Sequence, residues 1–271
     1  MRKKQLNPII KTGVVTTLML CSVAWSQVDS ELVRLVDCPT AGLISKGRYG
    51  IDMRLFPNGG VLGQIDAGVL KRISIGISFG GTQIIGDDAI SWYPRVEASA
   101  RYRVIEETQG LPALLFGYET QGFGAHQDNR YQIKSKGLYG AMSKNYMSGL
   151  GQFGVHGGVN LTRENGEDGD LSGWLGIDKS INEELMIVGE YDFAINDNED
   201  DSLGSGKGYL NLGAYWSAVP NVSIGFLMKN ILRNRDDDSH SEGVNLMTSQ
   251  EQLAADPDVS RELSIRYTEV F

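Results

Sequence analysis

The chain has 271 residues, 41% of them hydrophobic, and a formal charge of −9; this is enough for one large domain or two small ones. The acidic balance excludes a nucleic-acid partner, whose phosphates require a basic surface. Beyond the N-terminus no apolar run reaches the length of a spanning helix, and the 34 glycines recur inside strand-like runs rather than in one low-complexity patch.

Residues 1–26 read as a secretory signal. Arg2, Lys3, Lys4 and Lys11 form a positive n-region, Gly13 to Leu20 an apolar h-region, and Ala24-Trp25-Ser26 a small-x-small cleavage site before Gln27. The apolar run is too short for a membrane anchor, and Leu20 is too large for the usual lipobox ahead of Cys21. Removing this segment takes away four cations and no acid, so the net charge moves from −9 to −13. Only Cys38 then remains, which leaves no internal disulfide. Residues 27–46 are expected to be a short periplasmic segment, too few to plug a barrel, with the barrel itself at 47–271.

From Gly47 onward the apolar residues recur with a period of two, the mark of strands with one face apolar. Tyr49, Ile51, Met53 and Leu55 alternate with Arg48, Gly50, Asp52 and Arg54. Val61, Ile65, Ala67 and Val69 alternate with Gln64, Asp66 and Gly68. Ile73, Ile75, Ile77 and Phe79 alternate with Ser74, Gly76, Ser78 and Gly80. Val96, Ala98, Ala100, Tyr102 and Val104 alternate with Arg95, Glu97, Ser99, Arg101 and Arg103. Less regular strands fall near 112–123 and 130–145. Phe153, Val155, Val159 and Leu161 then alternate with Gly154, His156, Gly158 and Asn160. A strand near 171–180 precedes Leu185, Ile187, Tyr191 and Phe193, which alternate with Val188, Glu190 and Asp192. After one near 207–217, Val222, Ile224, Phe226 and Met228 alternate with Ser223, Gly225 and Lys229, and 261–271 closes the set.

Alternation does not say whether the apolar face meets a core or lipid. Four features favour lipid, and so an all-β antiparallel transmembrane barrel of about twelve strands in the outer membrane. The segments run about ten residues, long enough for a tilted crossing, where sandwich strands are nearer five or six. The polar face is rich in Gly and Ser, as a crowded lumen requires. The connections 86–91, 124–130, 163–171, 195–207 and 232–260 are long, whereas the alternate ones, 70–72, 105–111, 145–150, 180–184 and 217–221, are shorter. That asymmetry is the one between extracellular loops and periplasmic turns, with Asn58-Gly59-Gly60 as a tight turn on the long side. Finally, Leu263, Ile265, Tyr267 and Phe271 share a face and end on an aromatic. This pattern is similar to the insertion signal that such barrels present to their insertion machinery, with Glu269 standing where another apolar residue is usual.

Several stretches carry a further resemblance: Pro39-Thr40-Ala41-Gly42-Leu43, Gly47-Arg48-Tyr49, Arg54-Leu55-Phe56-Pro57-Asn58-Gly59-Gly60, Ile75-Gly76-Ile77-Ser78-Phe79-Gly80-Gly81, Ser143-Lys144-Asn145-Tyr146, His156-Gly157-Gly158-Val159-Asn160 and Glu190-Tyr191-Asp192-Phe193-Ala194. Together they resemble the YjbH-like group of outer-membrane barrel proteins. The resemblance implies a barrel fold and, from members linked to exopolysaccharide, a polysaccharide or envelope-protein partner. It supplies no catalytic residues.

The charges expected to line the lumen are Arg48, Arg54, Arg95, Arg101, Arg103 and Arg266 against Asp52, Asp66, Glu97, Glu119, Glu190, Asp192 and Glu262. One reading is a network of ion pairs filling a narrow barrel, since charges away from bulk water need partners. The other is a selective pore, with Arg95, Arg101 and Arg103 as a ladder on one strand. His156 joins the polar face, but no serine neighbours it on its own strand, so a nucleophile–base pair and with it an enzyme are disfavoured. The three histidines have no zinc spacing, no cofactor motif is present, and the acid-rich runs 197–201 and 236–238 lack a calcium-loop pattern. The expected function is a passive channel or export-associated pore for a small or saccharide-related solute. The alternative is a non-conducting accessory barrel with a charge-filled lumen, and a hydrolase is a distant third.

Overall fold

The computed structural model describes residues 31–127, 129–148, 151–162, 164, 169–198, 202–234 and 259–271. The expected signal and most of the 232–260 loop, including Asp236–Asp238, lie outside the described residues.

The strands are β1 (Arg48–Phe56), β2 (Gly60–Leu70), β3 (Ile73–Thr82), β4 (Ser91–Trp92), β5 (Glu97–Ile105), β6 (Ala113–Glu119), β7 (Phe123–Gln127), β8 (Arg130–Ile133), β9 (Gly137–Ser148), β10 (Gly151–Leu161), β11 (Ser172–Ser180), β12 (Leu185–Asp192), β13 (Tyr209–Val219), β14 (Val222–Lys229) and β15 (Ser260–Val270). Twelve of them form one closed antiparallel ring. Each pairs with its neighbours in sequence, β6 joins β9 past the short β7–β8 pair, and β1 closes on β15 with Arg54 opposite Ser264. Closure leaves no unpaired edge, which a sheet exposed to hydrocarbon cannot tolerate.

The pleat sends side chains alternately outward and inward, and the two faces differ in chemistry. Outside, Ile65, Ile77, Phe116, Leu138, Val159, Leu175, Ile177 and Phe226 are exposed. Inside, Arg54, Glu97, Arg101, Glu119, His156, Glu190 and Lys229 are buried. A water-soluble barrel has the reverse arrangement, so this cylinder suits an apolar solvent. Aromatic side chains lie toward both rims: Tyr49, Tyr267, Phe271, Tyr146 and Phe153 at the end where the chain enters, Phe79, Trp92, Tyr191 and Phe193 at the other. Such girdles mark membrane–water interfaces.

Among the described residues the connections at the entry end are shorter (71–72, 106–112, 181–184 and 220–221), and those opposite are longer except for 57–59. In that exception Asn58 and Gly59 have φ of 63° and 62°, the left-handed conformation that lets so short a hairpin turn follow the strand twist.

The structure departs from the expected pattern in two places. The strand foreseen over 130–145 is broken: 130–133 is β8, and β9 begins only at Gly137, where φ is 60°. Between them Lys134, Ser135 and Lys136 are all buried, and three successive inward side chains are incompatible with a pleated strand. The second correction concerns residues 31–46, which lie within the lumen rather than beneath it.

Three glycines of the inner face stand opposite aromatic rings. Tyr139 is paired with Gly117, Trp174 with Gly158 and Tyr215 with Gly225. A Cβ on any of these glycines would sit 2.1–2.6 Å from the ring opposite. Rings packed on bare backbone are what fit large side chains into a narrow barrel.

Candidate functional site

Residues 31–46 fold back on themselves. Thr40 N–H donates to the Val33 carbonyl and Leu35 N–H to that of Cys38, with Val36-Asp37 at the tip. Leu35, Val36, Asp37 and Cys38 are each at most 1% exposed, because side chains from many strands converge on them. The wall reads the backbone of this hairpin. Glu190 of β12 accepts N–H bonds from Val36, Asp37 and Cys38 at 2.8–2.9 Å, a nest of successive amides closed around one carboxylate. Arg101 donates to the Val33 carbonyl, Tyr215 to Leu35, Arg54 to Val36, Trp174 to Pro39 and Arg103 to Ala41. Backbone groups of the hairpin are thus met by wall side chains or by one another, as burial in the lumen requires.

Charge is concentrated at the tip. Asp37 lies 2.6 Å from Arg54 and 2.8 Å from Lys229, and both cations also face Glu262, at 3.6 and 3.1 Å. Burial by itself pushes the Asp37 carboxyl up, but Lys229 and Arg54 outweigh it and hold it below the ordinary carboxylate range. Beside this layer Arg34 of the hairpin pairs with Glu119, and Arg101 is 4.0 Å from the same carboxylate.

A second insertion meets the first from the long-loop end. β7 and β8 form a short hairpin that carries Phe123 inward, its ring 4.4 Å from the Arg54 guanidinium, 4.9 Å from Lys229 and 5.1 Å from Arg34. Tyr131 of β8 is fully buried, edge-on to Tyr93, and donates to Glu97. Lys136 pairs with Asp192, and Arg130 lies 2.7 Å from Asp197. Asp197, expected at a solvated acidic loop tip, is therefore buried beneath the second hairpin. A cavity of about 20 Å³ between hairpin and wall, lined by Arg34, Asp52, Asp66, Arg101 and Arg266, has room for about one water molecule.

The remaining expected residues fall as follows. Asp52 pairs with Arg266 at 2.9 Å, and Asp66 binds Gln64 and Ser99. Arg48 is half-buried at the entry mouth. Arg95 departs from expectation: it precedes β5, and its side chain is 63% exposed while contacting Glu97. The ladder of Arg95, Arg101 and Arg103 is thus reduced to two rungs, and both bind the hairpin. Leu263, Ile265 and Tyr267 are half-exposed on the outer side of β15 and Phe271 is exposed just beyond it, while Glu269 accepts bonds from Tyr267 and Asn221.

His156 has partners that its own strand does not reveal. Ser143 of β9 stands directly opposite it, 2.7 Å from Nδ1, and Asp178 of β11 lies 2.7 Å from Nε2. The Ser143 Oγ also accepts the Ala41 N–H of the hairpin at 2.8 Å. All three side chains are buried, so this serine–histidine–aspartate row touches the plug, not solvent. Cross-strand register was the missing signal, since Ser143 and His156 become neighbours only once β9 and β10 pair.

No protein-family model matches the chain, and no curated protein matches it. Solved structures with a similar arrangement include the NanC porin, 8% identical with a TM-score of 0.41, the match covering 82% of this chain and 99% of that one. The outer-membrane protein OmpT of Vibrio cholerae is 7% identical with a TM-score of 0.30, covering 82% and 98%. The outer-membrane channel DcaP of Acinetobacter baumannii is 10% identical with a TM-score of 0.31, covering 82% and 95%. Likeness at this level carries no inference about what the present chain does.

Proposed function

We propose that the chain is an outer-membrane channel held closed by its own N-terminal hairpin, and that it passes a small or saccharide-related solute when residues 31–46 withdraw. The observation that carries this reading is the seating of the hairpin tip on Glu190, Arg54 and Lys229. These three contacts are hydrogen bonds and ion pairs that water can replace. The apolar belt, the aromatic girdles and the one-sided loop lengths support membrane placement, with the entry end periplasmic. The secretory signal and the Leu263–Phe271 pattern support export and insertion into the outer membrane. The resemblance to YjbH-like barrels supports a saccharide-related solute and an envelope or polysaccharide partner. No catalysis is part of this reading.

A second reading, a permanently closed accessory barrel, is favoured by apolar contacts between hairpin and wall. Leu35 and Val36 pack with Val188, Tyr215 and Leu227, and Cys38, Ala41 and Leu43 with Leu115 and Trp174. Planar-bilayer recording of wild type and Asp37→Lys separates the two. The substitution leaves the wall intact and sets a cation against Arg54 and Lys229. A gated channel is silent as wild type and conducts as the variant. Silence of both, with the variant correctly folded, overturns the channel and leaves the accessory barrel.

A further inference from the structure

The row Ser143, His156 and Asp178 lies across three adjacent strands at one level. Its geometry is built into the sheet: Asp178 stands opposite Gly154 and His156 opposite Gly176. A Cβ on Gly154 would fall 2.2 Å from the Asp178 carboxylate and 2.7 Å from His156 Nε2, so the bare position is what lets carboxylate and ring meet. Ser143 of β9 and Asp178 of β11 bond the ring; Asn145 of β9 lies beside the same bare Gly154 position, and the Ala41 amide of the hairpin meets Ser143. Beyond Ala41, Arg103 of β5 holds its carbonyl and pairs in turn with Glu31 and Glu106.

We propose that this row is an acid-released latch on the hairpin: neutral His156 holds Ala41 in the lumen, and protonated His156 lets it go. The inference rests on the plug reading above and adds its trigger. With the ring neutral, every donor finds an acceptor in one direction. Ala41 N–H donates to Ser143 Oγ, the Ser143 hydroxyl to His156 Nδ1, and Nε2–H to Asp178. A carboxylate accepts only, which sets the tautomer. Protonation places a second N–H on the ring, aimed at the serine oxygen that already accepts from Ala41. The Ser143 hydroxyl hydrogen must turn away, and its described bonds offer no other acceptor. The new positive charge is met by the Asp178 carboxylate, 2.7 Å from Nε2, so the orphaned hydroxyl is what disfavours the seated state. Withdrawal of the hairpin relieves it, because Ser143 then meets water. Reciprocity makes whatever favours withdrawal favour protonation.

The test follows Cys38, fully buried in the seated hairpin. In a Cys21→Ser background its reaction with 4,4′-dithiodipyridine is measured in detergent from pH 7.5 to 5.0 and divided by the rate for the denatured chain at each pH. The normalised rate should rise about tenfold toward acid, the scale of one buried hydroxyl losing its partner. In His156→Gln it should stay flat, and in Ser143→Ala it should be high at pH 7.5 and flat. The alanine variant reads the latch even if the glutamine variant fails to fold. A flat wild-type profile overturns the latch, as does an unchanged rise in both variants. Labelling of Ser143 by a fluorophosphonate overturns it too, by assigning a nucleophile. If Asp37→Lys still conducts while wild type shows no acid response, the plug reading survives and the latch alone has failed.

Discussion

Replacing Glu190 by glutamine tests the seating of the hairpin at its most demanding point. The two side chains have the same shape, so the wall keeps its packing, but one oxygen becomes an NH₂ group. If that group takes the place of Oε2, the amides of Val36 and Cys38 lose their acceptor and face a donor; if it takes Oε1, Asp37 N–H and the Asn211 amide do so. Two buried donors are orphaned either way, each costing ~1–3 kcal/mol. Allowing for relaxation, about 3 kcal/mol is lost from the seated state, roughly 150-fold in the equilibrium between seated and withdrawn. The withdrawn state has water for the same groups and is unaffected. Heat-modifiable gel mobility establishes that the barrel has formed, after which single-channel open time and Cys38 reactivity are compared with wild type. Both should rise by a factor on that order. A correctly folded Glu190→Gln barrel with wild-type silence and a protected Cys38 would refute the argument that this carboxylate holds the plug.

Ile77 is 56% exposed in the middle of β3, and Ile77→Arg should destabilise the barrel in lipid vesicles by ~2–4 kcal/mol, read as a shift in denaturant midpoint; a change within ~0.5 kcal/mol, usual for an exposed site in water, would place this face in solvent. A methyl group at Gly158 would stand 2.2 Å from the Trp174 ring and 2.5 Å from the Gly140 carbonyl. Gly158→Ala should therefore cost ~1–3 kcal/mol by overpacking, displace the indole from the Pro39 carbonyl and alter the near-ultraviolet dichroism; an unchanged spectrum would contradict the ring-on-glycine packing. Because the folded-state carboxyl of Asp37 is held below its unfolded value, its contribution to seating is complete above ~pH 4 and is lost as pH falls through the lower, folded value. In the His156→Gln background, protection of Cys38 should persist to about pH 4 and fail below it. Failure already at pH 6 would assign the anchoring to another group.

The wall is legible in the residue pattern alone. A period of two carries the inward and outward faces of each strand regardless of partner, so Ile75, Ile77 and Phe79 declare one face and Ser74, Gly76 and Ser78 the other. Loop lengths then divide the two ends. What the lumen holds depends on contacts between residues far apart in the chain. Residues 31–46 have no periodicity of their own, and their conformation is set by Glu190, Arg54, Trp174 and Ser143, which lie far away in sequence and converge only when the barrel closes. The same holds for Arg95, whose place in the alternation made it look like a rung although it lies before β5 begins. It holds equally for His156, whose serine and aspartate stand on the strands to either side. A strand's pattern records which side a residue faces, not what crosses the lumen to meet it. Whether a barrel is open or closed depends on contacts of the second kind.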